Sequence, residues 1–292
     1  MSGARLTIAA SAPEGAAPQG SSGAEAIEIA GVSKVFRRGS TQVRALDEVD
    51  LSVGDGEFLA VVGPSGCGKS TLMRLVAGLI PATTGSIHIG GKQVSGPYTD
   101  VGIVFQSPIL LDWRTVLGNV LLQLEMRGID PAPYEARARA LLTAVGLGDF
   151  CNAYPRELSG GMRQRASIVR ALVHDPRLLL MDEPFGALDA LTREQMRIDL
   201  EDLWLSSRKT VLFITHSIDE AVLLADRVIV MSPRPGKVDR VINIDLPRPR
   251  GLDGRRLPGF AEASDLITNI FLDRGVLHGS RGGFAGNLKA VR

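Results

Sequence analysis

The segment GPSGCGKST, residues 63–71, combines residue types that could bind phosphate groups. Its glycines are followed by Lys69 and Ser70, which fits the pattern G-x-x-x-x-G-K-[ST]. Glycines let the backbone curl so that N–H groups point inward, and a following helix adds unpaired N–H donors. Lys69 can then reach the β- and γ-phosphates, and the Ser70 hydroxyl can bind Mg²⁺. The segment predicts a nucleoside triphosphate site; a chance match is the alternative, which the flanking strand and helix disfavour.

Two adjacent carboxylates follow the apolar residues 178–181. Asp182 is placed to hold Mg²⁺ through a water, because this ion keeps much of its hydration shell. Glu183 can aim at the water that attacks the γ-phosphate, which favours hydrolysis over nucleotide storage. The alternative is that both carboxylates only cap the turn before Pro184.

A histidine, His216, follows the apolar segment TVLFIT. If this segment is a strand beside the other two in a parallel sheet, its carboxyl end opens onto the same crevice. His216 could then hydrogen-bond the γ-phosphate or the attacking water. A purely structural histidine is the alternative.

Alternating apolar strands and helices surround these residues. The predicted strands are AIEIAGVSKVF, EFLAVVG, GSIHIGGKQV, VGIVFQ, RLLLMDEP, TVLFIT, RVIVMS and KVDRVINIDL. Their alternation with helices predicts a parallel sheet with crossover helices, and a mostly helical stretch at about 115–175 indicates an insertion in this α/β body. Residues 1–26, rich in Ala, Gly, Ser and Pro, predict a flexible leader before a body at 27–246. The tail, 247–292, has one helix candidate at about 260–271, and the sequence leaves open whether it packs on the body or regulates it.

Composition limits the classes of partner. The 292 residues include 33 basic and 32 acidic side chains, so a net charge of +1 supplies no long-range field for nucleic acid. The two cysteines, Cys67 and Cys151, form no disulfide framework and indicate a reducing compartment. No apolar run reaches the roughly 18 to 20 residues that a bilayer-spanning helix needs.

Further motifs give residues 27–244 a resemblance to the ATP-binding subunits of ABC transporters. LSGGMRQR at 158–165 resembles the family signature, with Met162 where glutamine is commoner. GPSGCGKST resembles the Walker A loop, VFQ the Q-loop, LLLMDEP Walker B, GALD the D-loop, and His216 the switch histidine. The resemblance implies a P-loop NTPase fold of class α/β, with a mainly parallel core sheet, an antiparallel β subdomain and an α-helical insertion subdomain.

The resemblance also implies roles for individual residues. It implies that Phe36 stacks on adenine, although an aromatic beside a strand could equally belong to the core. The expected catalytic residues are Glu183, His216, Gln106 and Lys69. The expected Mg²⁺ ligands are Ser70, Gln106 and Asp182. The expected ATP contacts are Phe36, Gly63, Pro64, Ser65, Gly66, Cys67, Gly68, Lys69, Ser70, Thr71, Ser159, Gly160 and Gly161.

Partners follow from the same resemblance. Two copies are expected to pair head to tail, with Ser159, Gly160 and Gly161 capping ATP bound by the other copy. Membrane permease subunits are expected to dock around QSPILLDWRTVLGNV, through Trp113, Leu110 and Leu111, whose alternative role is domain core. The chain would then lie peripherally on the cytoplasmic face of the membrane and serve a substrate-binding protein indirectly.

Within the family the chain is most similar to importers of nitrate, sulfonate, taurine and related solutes. Asp112 stands where proline is usual before the tryptophan, so the cargo stays open. The alternative function is a soluble ABC ATPase acting on a cytosolic or nucleic-acid assembly. Tandem cassettes, long coiled-coil insertions and zinc-binding cysteines, which are typical of such proteins, do not occur in this sequence.

Overall fold

A computed structural model describes residues 25–277 of the chain. The predicted leader therefore lies outside the described residues except for its last two positions, which already belong to a strand. The strands are β1 (Glu25–Arg38), β2 (Thr41–Gly54), β3 (Phe58–Val62), β4 (Thr84–Ile89), β5 (Lys92–Gln93), β6 (Val101–Val104), β7 (Leu178–Asp182), β8 (Thr210–Ile214), β9 (Arg227–Met231) and β10 (Val238–Asn243). The helices are α1 (Lys69–Val76), α2 (Val116–Glu125), α3 (Glu135–Ala144), α4 (Gly160–Leu172), α5 (Ala190–Ser207), α6 (Ile218–Leu224) and α7 (Phe260–Asp273).

The core sheet has six strands in the order β10-β9-β3-β8-β7-β6. β3, β6, β7, β8 and β9 run parallel, and β10 pairs antiparallel at one edge. All five residues of β3 and all five of β8 are buried, as expected of strands covered on both faces. The pairing places β8 between β3 and β7, so the carboxyl ends of these three strands lie side by side. The predicted mainly parallel α/β core is confirmed.

A second, antiparallel sheet has the order β2-β1-β4-β5. Alternate β1 residues, including Ile27 and Ile29, are buried, whereas Glu28 is exposed, which is the pattern of a half-buried strand. The sequence prediction missed β2, and it drew a single strand over GSIHIGGKQV. That segment is a hairpin, because Gly90 and Gly91 adopt positive φ angles of 54° and 74° and reverse the chain between β4 and β5.

Three helices, α2, α3 and α4, form a unit between β6 and β7 with its own apolar cluster, which includes Val120, Leu142 and Val169. The buried Asn119 side chain joins α2 to the preceding loop, since its Oδ1 accepts from Leu111 N at 2.6 Å and its Nδ2 donates to Leu111 O at 3.1 Å. The loop before α2 is thereby fixed to the helical unit.

The C-terminal segment folds back onto the body. Four residues of α7, among them Ile267 and Phe271, are buried in the main apolar core. Ahead of the helix, the buried Arg250 guanidinium donates to the carbonyls of Val222 and Ala225, both at 2.8 Å. Burial lowers the pKa of Arg250 to about 10. The tail is thus part of the packed structure as far as Leu277.

Among residues 25–277, no helix combines the length and the apolar character that crossing a bilayer requires.

Candidate functional site

The glycine loop at 63–68 leads from β3 into α1. Gly68 has a φ of 110°, and a Cβ there would lie 2.6 Å from Leu46 Cδ2 and 2.9 Å from Ala45 O, so only glycine fits. Lys69 is buried, and its Nζ donates to Gly63 O at 2.8 Å and to Pro64 O at 3.3 Å. The lysine ammonium is therefore held within the curl of the loop, beside the first peptide N–H groups of α1.

A hydroxyl and a carboxylate meet at the start of α1. Ser70 Oγ donates to Asp182 Oδ1 at 3.0 Å, which joins α1 to the end of β7. Burial raises the pKa of Asp182, and the Ser70 hydrogen bond opposes that effect. Mg²⁺ binds hydroxyl and carboxylate oxygens, so the Ser70–Asp182 pair fits such an ion, while the predicted ligand Gln106 donates its amide N–H to the neighbouring Glu183.

Glu183 is the centre of a second set of contacts. Its backbone N–H donates to Ile214 O at 2.8 Å, and its φ of 45° lies in the left-handed region, which is uncommon outside glycine. Its Oε2 accepts from Gln106 Nε2 at 3.1 Å and lies 3.3 Å from His216 Nδ1. Two sequence-predicted residues, Gln106 after β6 and His216 after β8, therefore converge on the carboxylate of Glu183, which follows β7.

The two sets form one site, because Asp182 and Glu183 are adjacent at the end of β7. A buried ammonium, peptide N–H donors and a helix N-terminus favour a phosphate group. A carboxylate held between an amide and an imidazole can orient a water and accept its proton. The arrangement can therefore support cleavage of a bound phosphoanhydride by water.

The predicted signature residues lie apart from this site within the chain. Ser159 caps α4, since its Oγ accepts from Met162 N at 3.3 Å. Ser159 and Gly160 are exposed, whereas Gly161 is buried and faces Thr192 at the start of α5. Among residues 25–277, no hydrogen bond or ion pair joins the side chain of Ser159 to the glycine loop.

Phe36 lies on β1, also without a direct link to the glycine loop. Its ring is 43% exposed, and Lys34 Nζ lies 5.2 Å from the ring centroid. The ring is thus accessible at the surface and is not part of the core.

The segment predicted to contact permeases is partly exposed. Trp113 is 74% exposed, while Leu110 and Leu111 are half-buried, and Leu110 packs against the apolar cluster of the helical unit. Of the three predicted contact residues, Trp113 presents the largest accessible surface.

Two features near the site were missed by sequence reasoning. Arg234 Nε donates to Gly66 O at 3.0 Å and so braces the outside of the glycine loop. Glu220, four residues after His216 in the first turn of α6, is buried and accepts a hydrogen bond from Thr215 Oγ1 at 2.5 Å. An acidic residue directly before the apolar run AVLLA was the available signal for Glu220, whereas no sequence pattern singled out Arg234.

Comparison with known proteins agrees with this site. The ABC transporter family profile matches residues 46–186. The chain is 47% identical over 247 residues to an ABC transporter ATP-binding protein of Methanocaldococcus jannaschii, covering 85% of this chain and 91% of the relative. It is 46% identical to the taurine import ATP-binding protein TauB of Rhizobium johnstonii, covering 84% and 95% respectively. It is 44% identical to the nitrate import ATP-binding protein NrtD of Synechocystis sp., covering 85% and 96%.

Solved structures give the same result. A dimeric ATP-binding cassette in a post-hydrolysis state, bound to ADP and Pi, aligns with a TM-score of 0.67 and 32% identity, covering 75% of this chain and 98% of that one. A second dimeric structure, of a bacterial ABC transporter cassette, aligns with the same TM-score and 33% identity over the same shares. The chain therefore belongs to the ABC transporter family, as one of its ATP-binding, ATP-hydrolysing cassettes.

Proposed function

We propose that this chain is the ATPase subunit of an importer and powers the uptake of a small solute, such as nitrate, a sulfonate or taurine, through separate membrane permeases. The observation that carries the proposal is the convergence of Gln106 and His216 on Glu183, beside the Lys69 loop. The relatives named as taurine and nitrate import ATP-binding proteins support the choice of solute class. Asp112, where those importers usually have proline, keeps the individual cargo open.

Nucleotide binding would begin at the glycine loop. The peptide N–H groups and Lys69 bind the β- and γ-phosphates, while Phe36 stacks on the adenine ring. Ser70 and Asp182, with Gln106, would hold Mg²⁺, which when bound neutralises developing phosphate charge. In this arrangement Lys69 exchanges at least one of its carbonyl contacts for a phosphate oxygen.

Hydrolysis would rest on Glu183. Its carboxylate orients the attacking water and accepts a proton from it. His216 orients the carboxylate and the terminal phosphate relative to each other. Gln106 lies two residues after β6, between that strand and the helical unit, so its contact with Glu183 can link the state of the site to movement of that unit.

Two copies would complete each site. The exposed N-terminus of α4, at Ser159 and Gly160, offers peptide N–H donors that no residue of its own glycine loop contacts, and the similar solved cassettes are dimers. A head-to-tail dimer would bring this helix end to the γ-phosphate held by the partner copy. Permeases would dock at the exposed Trp113 surface, which would place the dimer on the cytoplasmic face of the membrane.

Glu183→Gln tests the hydrolytic role. We expect ATP hydrolysis to fall by ~10²- to 10⁴-fold, because the amide cannot accept the proton, while Mg·ATP binding by calorimetry persists. The matched control is Glu28→Gln on the exposed face of β1, which should hydrolyse ATP normally. Near-normal turnover by Glu183→Gln would remove this carboxylate from the role of base.

Copurification tests the importer. The detergent-solubilised complex should contain a multi-spanning membrane protein and lose it when Trp113 is replaced by Glu. Recovery of a soluble assembly or nucleic acid instead would support the alternative ABC ATPase function.

A further inference from the structure

An ion pair between the buried carboxylate of Glu220 and the partly exposed guanidinium of Arg193 takes no part in the hydrolysis described above. Glu220 lies on α6 with a side chain that is 10% exposed, and Arg193 lies on α5 with its Nε 3.8 Å from Glu220 Oε1. Since removing a charge from water is costly, a buried carboxylate needs compensating partners. The other hydrogen bonds of Glu220 and Arg193 are made with segments that carry catalytic-site residues.

Glu220 is joined to the segment that carries His216. Its Oε2 accepts from Thr215 Oγ1 at 2.5 Å, and the same hydroxyl accepts from Ser217 N at 3.0 Å. The residues on both sides of His216 are therefore tied to one carboxylate.

Arg193 is joined to the turn that follows Glu183. Its Nη2 donates to Leu188 O at 2.9 Å and its Nε donates to Phe185 O at 3.4 Å. Phe185 and Leu188 bracket Gly186 in the predicted D-loop, and Phe185 is fully buried against Phe213 of β8. The guanidinium therefore holds the backbone of this turn, and its planar set of donors fixes the directions of these contacts more rigidly than a lysine ammonium would.

These contacts close a ring. The path runs from Glu183 along the chain to the turn, across Arg193 to Glu220, through Thr215 to His216, and back to Glu183 over 3.3 Å. Among the described residues, no hydrogen bond or ion pair joins Arg193, Glu220 or Thr215 to the glycine loop. The ring therefore adds a second constraint on how His216 lies against Glu183, beside the hydrogen bond from Glu183 N to Ile214 O that joins the ends of β7 and β8.

We propose that Arg193 and Glu220 are a positioning pair that sets the geometry between His216 and Glu183, so that the pair controls the rate of ATP hydrolysis but not the affinity for ATP. This proposal rests on the proposed function of Glu183. Small displacements of a reacting group cost a large share of a catalytic rate, because the reacting atoms must be aligned. Glu220→Gln keeps an oxygen that can accept from Thr215 but loses the charge that attracts Arg193.

The test compares steady-state kinetics of Glu220→Gln, Arg193→Lys and the double variant. We expect kcat to fall by ~10-fold in Glu220→Gln, with KM for ATP and the calorimetric affinity for Mg·ATP within about twofold of wild type. The double variant should be no slower than the worse single variant, because residues that act as a unit are not additive. Assays are made at least about 20 °C below the Tm of each variant.

The matched control is Asp219→Asn, one residue earlier on α6. Asp219 pairs with Arg255 at 2.9 Å, outside the ring, so its loss should leave kcat within about twofold of wild type. Should Glu220→Gln fail to fold, Arg193→Lys provides the same readout alone.

Three outcomes would contradict the positioning role of Arg193 and Glu220. They are an unchanged kcat in both single variants, equal losses in kcat and ATP affinity, or a double variant whose loss in kcat is the product of the two single losses. Failure of the proposed role of Glu183 is distinguishable, because Glu183→Gln would then hydrolyse ATP at a near-normal rate. A wild type that depends on Glu183 but tolerates Glu220→Gln would refute the positioning pair alone.

Discussion

The glycine loop at 63–68 and the signature turn at 158–161 both present peptide N–H groups at the start of a helix, but their surroundings differ. In the loop, Lys69 is buried against Gly63 O, Arg234 braces Gly66 O, and a Cβ on Gly68 would strike Leu46. At the signature turn, a Cβ on Gly160 would meet nothing within 4 Å. The N–H donors of the glycine loop are held in place by residues of the same chain, whereas those of the signature turn are exposed. Under the proposed head-to-tail dimer, a single copy of the chain would hold a complete binding loop and an incomplete catalytic site.

The largest expected effects come from one substitution in the glycine loop and one in the signature turn, each made separately. Lys69→Ala should weaken Mg·ATP binding by ~100-fold, because it removes a charge-assisted contact worth about 2 to 3 kcal/mol. Gly160→Arg should leave ATP binding by one copy within about twofold while hydrolysis falls by ~100-fold, because the added cation occupies the surface that the partner's nucleotide needs. Calorimetry and phosphate release measure the two effects.

Mixing these two inactive variants sharpens the same comparison. Half of the dimers in an equal mixture are mixed, and each mixed dimer carries one site with both regions intact, so activity should return to about a quarter of wild type. Lys69→Ala mixed with itself at the same concentration is the control. If no mixing ratio restored ATP hydrolysis, the two regions would not share a site across a dimer.

A matched pair of alanine substitutions gives a smaller effect. Gly68→Ala should destabilise the fold by about 1 to 3 kcal/mol, because of its positive φ and the 2.6 Å approach to Leu46 Cδ2. Gly160→Ala should leave the Tm within about 1 °C of wild type while lowering hydrolysis. Thermal unfolding by circular dichroism checks both. Equal destabilisation would contradict the contrast between the packed loop and the exposed turn.

The smallest expected effect concerns a group remote from both regions. His174 follows α4, the helix that begins at the signature turn, and burial lowers its pKa from 6.5 to about 4. The folded chain therefore binds fewer protons than the unfolded chain between these values. The stability contribution is fully present above about pH 6.5 and is lost as pH falls toward 4.

The pH effect is measured as the change in Tm between pH 7.5 and 5. Wild type should lose more stability over this interval than His174→Asn, because asparagine does not titrate there. Parallel Tm curves for the two proteins would show that His174 makes no such contribution.

Much of this site was predictable from the sequence, because its residues follow apolar strands. Asp182, Glu183 and His216 stand at or within two residues of a strand end, Lys69 follows the glycine loop after β3, and a parallel sheet brings those strand ends together. The link between Arg193 and Glu220 was not predictable in the same way. It depends on how α5 packs beside α6, and no local pattern reports the packing of two helices.

The fold shows a similar division. The core strands are continuous apolar runs, so β3, β7 and β8 were evident. β2 was missed because its first four residues, 41–44, are exposed and three of them are polar, so the stretch lacks a clear alternation. Its stability comes from pairing with β1, from Thr41 opposite Arg38 to Gly54 opposite Glu25. That partner is tertiary information that a local pattern does not contain.

The two tryptophans of the chain experience opposite environments. The Trp113 indole is 74% exposed on the loop before α2. Trp204 is 2% exposed, and the guanidinium carbons of Arg208 and Arg248 lie 4.4 and 4.3 Å from the centroid of its ring. An indole in water emits at longer wavelength than a shielded one. Ultraviolet emission of the unlabelled protein therefore contains two separable signals, and an event that covers the loop alters the long-wavelength signal while the other continues to report an intact interior.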